Sequence, residues 1–383
     1  MIFGTFDGII KIIKRRGETR ILDTKEFFDN FASDCAAGSA NQRLTGFSEE
    51  KTYTGKTAFK LTNGGKNYSL LFSGEIDSTY GAGEIYLAGS VGDVWTIKKI
   101  RVGKTSARYE APLTWKDVYF GGKTEKTVKS GEEFCSDAFE LDAKTDDYLQ
   151  YEITFSGTRF PYHEEIQLDC LLKEEGGEFT AGKAFPVPLM IASDRRIKEK
   201  IGFLGDSITQ GIGAPAEAYA HWVSLIAKAL GSEKSVYNLG IGFARAYDAA
   251  TDKGWLARAK RCGEVNVCLG VNDIIGGRSA YQLKADLTYI VRALKNAGCR
   301  VIIFTVPPFD FYESKLTVWR EVNEYIRFTL KNEADGFFDF AKVLGKEFPE
   351  EHIAKFGGHP SEEGSRAITA EYLKLFGNKE DKK

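Results

Sequence analysis

Histidine is scarce in this chain of 383 residues, with four in all: His163, His221, His352 and His359. Any imidazole chemistry must come from those positions. His163 lies in FPYHEEIQ, where Gln167 stands in place of the second ligand of an HExxH zinc motif. His352 and His359 have no further ligand pattern around them, and His221 is expected on a helix face beside Trp222. No metal and no cofactor are expected. Cysteine is also sparse. The six (Cys35, Cys135, Cys170, Cys262, Cys268, Cys299) are scattered without a CxxC pair, and Cys268 and Cys299 adjoin apolar runs. They read as reduced core thiols, which suits a cytoplasmic protein better than a secreted one.

Other absences narrow the function further. No window approaches 18 apolar residues, so no membrane span is expected. In the amino-terminal MIFGTFDGIIKIIKRRG the basic cluster follows the apolar residues and Asp7 interrupts them, the reverse of a signal peptide. The 52 basic and 54 acidic residues leave a net charge of −2, so no electrostatic footprint for nucleic acid or an anionic membrane is present. Gly-Lys-Thr at 55–57 and 122–124 lacks the glycine five positions earlier that a phosphate loop needs. Gly240-x-Gly242 is followed by Arg245 rather than a third glycine, and no GxSxG elbow occurs. The sequence assigns no oligomeric state.

The length itself exceeds what one core usually organises, so two domains are expected, 1–190 and 195–383. In the first, short apolar or alternating runs are separated by glycine-rich turns: KTAFKLTN, YSLLFSG, GEIYLAG, VWTIKKIRVG, YLQYEITFSG and EEIQLDCLLKEEGG. That spacing predicts an all-β sandwich or jelly roll. Pro186-Val187-Pro188 and Asp194-Arg195-Arg196 read as the linker. Beyond it strands and helices alternate. KIGFLG, SVYNLG, EVNVCLG, CRVIIFTV and GFFDFA are each followed by a helical stretch: AYAHWVSLIAKALG, one through about Lys260, then 282–297, 315–332 and 362–376. That order predicts a three-layer α/β/α domain with a flavodoxin-like parallel sheet.

In such sheets function sits where loops leave the carboxyl ends of strands. Four loops on that edge carry Gly205-Asp206-Ser207-Ile208-Thr209, Asn238-Leu239-Gly240-Ile241-Gly242, Gly270-Val271-Asn272-Asp273 and Gly358-His359-Pro360-Ser361. Ser207, after a buried strand and before a helix, has the placement of a nucleophile; alone it reads more readily as a helix cap or turn residue. His359, rigidified by Pro360 and followed by the helix cap Ser361, has the placement of a general base. The N–H groups of Ser207 and Gly240 and the amide of Asn272 could serve as three oxyanion donors. Singly, Gly240 reads as a turn and Asn272 as a cap; jointly, the four loops are hard to explain as punctuation.

In these blocks the sequence resembles the GDSL, or SGNH, hydrolase superfamily: GDSITQG (205–211), NLGIG (238–242), GVND (270–273) and HPSEEG (359–364), in order, over residues 197–376. The resemblance implies a serine esterase with Ser207 as nucleophile, His359 as base, and Gly240 and Asn272 completing the oxyanion hole with Ser207. One departure stands out. The family usually carries an acidic residue three positions before the histidine, and here that position is Phe356. A Ser–His dyad is then favoured over a carboxylate from elsewhere, such as Glu350, Glu351 or the first domain, and over a weakened site that mainly binds ligand.

The amino-terminal domain is similar, in architecture only, to the jelly roll of some carbohydrate acetyl esterases. The analogy implies a small-molecule or oligosaccharide ester substrate. Trp95, Trp115, Tyr119, Phe160 and Tyr162 are the candidates for stacking on sugar rings; their alternative role is core. With no insertion long enough for a large lid, a small acyl group, acetyl above all, is expected. The rival functions are a carbohydrate-binding protein with a decayed esterase site, and an acetyltransferase or thioesterase on the same scaffold.

Overall fold

The computed structural model describes residues 22–79, 88–251, 253–347 and 350–377. The amino-terminal segment discussed above, most of GEIYLAG and the terminal NKEDKK lie outside them.

The first part is built of antiparallel strands. Tyr148–Gly157 runs between Lys51–Lys60 and Trp95–Thr105 at the centre of a seven-stranded sheet. Leu149, Tyr151, Ile153 and Phe155 are fully buried while the residues between them are half-exposed, the period-two pattern of a strand with one face on a core. A second sheet, around Gly64–Ser73, supplies Tyr68, Leu70 and Phe72 to the same core. Each such side chain contributes about 2–3 kcal/mol by its burial.

Two sequence expectations are corrected here. EEIQLDCLLKEEGG forms a strand only at Leu171–Glu174. Residues 163–170 are irregular because their main chain serves the α/β part: Glu217 N–H donates to Gln167 O (3.1 Å), and the Gln210 side chain to Glu165 O (2.7 Å). Nor is Pro186-Val187-Pro188 a linker. Phe185, Val187 and Leu189 are buried, and Met190–Ser193 then pairs with Gly64–Ser73 and with Ala32–Ser33. The chain passes from the β-rich part to the parallel sheet at 194–198. Even there Asn67 Nδ2 donates to Asp194 Oδ2 (2.6 Å) and Arg195 to Lys234 O (3.3 Å).

The second part is a five-stranded parallel sheet. Its strands are β1 (Glu199–Gly205), β2 (Lys234–Gly240), β3 (Glu264–Cys268), β4 (Arg300–Phe304) and β5 (Gly336–Phe338), in spatial order 2-1-3-4-5. That is the flavodoxin-like order, whose switch point lies between β1 and β3. The helices are α1 (Ser207–Gln210), α2 (Trp222–Leu230), α3 (Ala246–Ala249), α4 (Gly254–Ala259), α5 (Val271–Ile275), α6 (Ala280–Asn296), α7 (Glu313–Phe328), α8 (Phe340–Leu344) and α9 (Glu362–Phe376). The single helix expected before Lys260 is thus two short ones. The stretch expected at 315–332 is α7 plus a 3₁₀ turn at Leu330–Asn332.

The two parts share a core. A short helix, Thr24–Asn30, and the residue after it place Phe27, Phe28 and Phe31 in one buried cluster with Leu71, Met190 and Ala192 of the first part and Ile201, Val236 and Tyr237 of the second. Ser235 Oγ and Asn238 Nδ2 of β2 donate to the carbonyls of Ser33 (3.3 Å) and Ala36 (3.0 Å). The β-rich part is therefore packed against the sheet of its neighbour, on the side of β2.

Candidate functional site

At the end of β1 the chain makes a crowded turn. A side chain at Gly205 would meet Thr209 Oγ1 at 2.0 Å, so glycine is required. Asp206 caps α1 by accepting the Ile208 N–H (3.0 Å). Ser207 is the first residue of α1, and its own N–H belongs to the turn that has no intrahelical acceptor. Gly211 ends the helix at φ 116°, where a Cβ would lie 2.6 Å from the His221 ring, and Trp222 Nε1 donates to Ile208 O (2.8 Å). The nucleophile candidate thus sits on a short helix fixed at both ends.

His359 stands before α9, which Ser361 caps (3.4 Å to Gly364 N). Its loop is close-packed. A Cβ at Gly358 would fall 2.9 Å from the Phe309 ring, and one at Gly213 2.7 Å from the His359 carbonyl carbon. The outcome is one contact that matters: His359 Nε2 lies 2.8 Å from Ser207 Oγ. Burial holds the imidazole pKa below its ordinary value. No carboxylate is hydrogen-bonded to His359 among the described residues. Glu351 faces Arg327 instead (3.8 Å), and Phe356 packs against Gly364 at the base of α9.

The oxyanion donors divide. Asn272, on α5 at the end of β3, is half-buried and gives one N–H to Ala244 O (3.0 Å), which leaves its second amide hydrogen for a substrate. Gly240 is a correction. Its N–H donates to Asn238 Oδ1 (2.9 Å), and its Cα packs so tightly under α1 that a Cβ would meet Gln210 N at 2.1 Å. Gly240 lets strand and helix approach; it does not present a donor to the cleft. Asp273 accepts the N–H groups of Ala246 (2.8 Å) and Tyr247 (3.2 Å), so α5 carries the loop after β2. Burial pushes the carboxyls of Asp206 and Asp273 up to about 7.

The other histidines are structural. His221 caps α2 by accepting Ser224 N–H (3.4 Å), and burial pushes its pKa down to about 4. His163 accepts Ala40 N–H (3.2 Å) and is pushed down to about 3 for the same reason. His352 lies against Trp319. Among the described residues no cluster of three or more His, Cys, Asp or Glu could hold a metal, and no helix is long and apolar enough to cross a membrane. All six cysteines are buried and free.

Of the five aromatic candidates, Trp95, Phe160 and Tyr162 are buried, the first two in the β-rich core. One face of Trp115 is covered by Arg101 (4.7 Å), and Tyr119 alone of the five is exposed. Core packing, not sugar stacking, explains most of them. What the sequence did not show is a buried polar contact from the β-rich part: Gln42 Nε2 donates to Gly242 O in the loop after β2 (3.0 Å) and to Glu165 Oε2 (3.1 Å). Gln42 and Glu165 lie far from every motif, so no local spacing could have found them.

Residues 203–367 match the GDSL-like Lipase/Acylhydrolase family. Among solved structures the chain is similar to a putative lipolytic protein of the G-D-S-L family from Desulfitobacterium hafniense DCB-2 (19% identity, 47% of this chain and 100% of that one, TM-score 0.40). It is also similar to a G-D-S-L family member from Veillonella parvula DSM 2008 (23%, 46% and 97%, 0.38). A third is a mutant acetyl-xylooligosaccharide esterase from Geobacillus Stearmophilus (21%, 48% and 96%, 0.39). No curated protein matches.

Proposed function

Because residues 203–367 carry a GDSL-like lipase/acylhydrolase domain, we propose that the protein is a serine esterase acting through a Ser207–His359 dyad on small acyl esters, acetyl esters of carbohydrates above all. The observation that carries this reading is the 2.8 Å contact between Ser207 Oγ and His359 Nε2 at the switch point of the sheet.

The chemistry follows from that contact. His359 Nε2 takes the hydroxyl proton as Ser207 Oγ bonds to the ester carbonyl carbon, whose π electrons move onto oxygen. The tetrahedral oxyanion collapses, the C–O bond to the alcohol breaks, and the alcohol leaves with the proton from His359. Water then adds to the acyl-enzyme with His359 again as base, and the carboxylic acid departs as Ser207 regains its proton. The oxyanion is held by the Ser207 N–H, the second Asn272 amide hydrogen and the Phe243 N–H. The last takes the role first assigned to Gly240: Asn272 holds the adjacent Ala244 carbonyl, and φ at Phe243 is 60°, a left-handed turn within that loop.

Substrate size is argued from the walls. Phe309 and the Gly213 backbone close on His359, and no long insertion separates the four blocks. Acetyl fits that better than a long acyl chain. The missing carboxylate at Phe356 favours one second reading, a carbohydrate-binding protein with a weakened esterase site. A fluorophosphonate probe separates the two, since only an activated Ser207 is labelled. The test of the main reading is acetate release from acetylated oligosaccharides and faster hydrolysis of aryl acetate than aryl decanoate. Preference for decanoate overturns the small-acyl assignment.

A further inference from the structure

Gly242, in the loop after β2, is held by three side chains drawn from both parts of the fold. Its N–H donates to Gln210 Oε1 (2.6 Å), one turn beyond Ser207 on α1. Its carbonyl accepts Gln42 Nε2 (3.0 Å) and, at the limit of contact, Ser78 Oγ (3.5 Å), both from the β-rich part. Gln42 and Gln210 are 0% and 1% exposed, so neither amide has water to fall back on. Gln42 is fully engaged. It also donates to Glu165 Oε2 (3.1 Å) and accepts the Glu165 N–H (2.8 Å), while Gln210 Nε2 donates to Glu165 O (2.7 Å). Space is exhausted too: a Cβ on Gly242 would lie 1.6 Å from Glu165 Oε2.

The consequence follows from peptide geometry. The Gly242 carbonyl and the Phe243 N–H belong to one planar trans peptide and point to opposite edges of it. A donor that fixes the carbonyl fixes the direction of the N–H. We propose that Gln42, contributed by the β-rich domain, is a positioning residue for ester hydrolysis: by holding the Gly242 carbonyl it aims the Phe243 N–H at the oxyanion. This rests on the esterase reading above and adds to it a role for the first domain, which completes the catalytic loop. A buried amide serves that role better than water, because an oxyanion donor works by being oriented before charge develops. Gln210 and Glu165 brace the same unit, so the nucleophile helix and the donor loop are tied to one support.

The test uses the full chain and p-nitrophenyl acetate. Gln42→Met keeps the volume and loses the donor; Gln42→Lys keeps a donor for Gly242 O and an ion-pair partner for Glu165. Gln42→Met is expected to lower kcat by about 10- to 100-fold, the cost of a misaimed group, with KM changed less than about twofold. The Ki of an aryl trifluoromethyl ketone, whose adduct carries the oxyanion, should rise by the same factor as kcat/KM falls. Gln42→Lys should recover most of the lost kcat. Unchanged kcat in folded Gln42→Met, or a loss confined to KM, overturns the proposal. Should Gln42→Met fail to fold, a folded Gln42→Lys with kcat as low as the misaimed case overturns it by itself. A wild-type chain that neither hydrolyses the ester nor labels at Ser207 overturns the esterase reading and this inference together. An active wild type with indifferent Gln42 variants overturns the inference alone.

Discussion

The His359 imidazole stands perpendicular to the Phe309 ring, centroids 5.5 Å apart and planes at 85°. An aromatic neighbour buries the base without adding charge, and burial alone holds its pKa below the usual 6.5. The neutral, proton-accepting form therefore persists to lower pH. The acid limb of kcat/KM for aryl acetate is expected to have its midpoint below 6.5. A midpoint above 6.5 would reveal a carboxylate partner and refute the dyad.

Restoring an acid at the family's position offers the converse experiment. Phe356→Asp places a carboxylate three residues before His359, where an anion favours the imidazolium. The acid limb should move upward relative to wild type. The same change removes an aromatic ring packed against Gly364 and the core, so about 2–4 kcal/mol of stability should be lost. An acid limb that stays in place in the folded variant would show that the side chain at 356 does not face the base.

Ser207→Ala and His359→Ala are each expected to lower turnover by about 10³-fold or more, with unchanged thermal melting. Ser207 is 9% exposed and His359 half-buried, so neither truncation opens a core. Normal turnover in either purified variant refutes the assignment.

Asn272→Ala should cost about 10²–10³ in kcat, the usual weight of one oxyanion donor. Part of the loss would come from the freed Ala244 carbonyl, because one amide hydrogen holds it at 3.0 Å. A rise in KM with kcat intact would place Asn272 in substrate binding instead.

His221 carries a stability prediction. Its folded pKa is about 4, below the unfolded value near 6.5. Between those values the unfolded chain takes up a proton that the folded chain refuses, so stability present above pH 6.5 is lost as pH falls to 4. Relative to His221→Asn, which keeps a capping side chain and does not titrate, wild type should lose about 2–4 kcal/mol across that window. Denaturant melts at several pH values read this difference; parallel curves would contradict it.

The four blocks were legible because each of their requirements is local. A glycine before Ser207, a proline after His359 and alternating strands and helices are dictated by backbone sterics within a few residues. The flavodoxin-like order and the Ser207–His359 pairing follow from that pattern and the handedness of βαβ crossovers. Where the local signal was ambiguous, the sequence misled. Gly240 looks like an oxyanion donor beside Gly242, yet the space under Gln210 explains it, and Asn238 takes its N–H. Pro186-Val187-Pro188 looks like a linker, yet its neighbours are core.

The sequence by itself determined where the candidate nucleophile, base and amide stand, because each lies in a loop on the carboxyl edge of the sheet. The tertiary structure decided what surrounds them. Phe309 beside His359, the carboxylate-free ring and the Gln42 clamp on Gly242 join residues up to 200 positions apart. Such contacts depend on how the two parts of the chain share a core, and no spacing within a single stretch of chain encodes that.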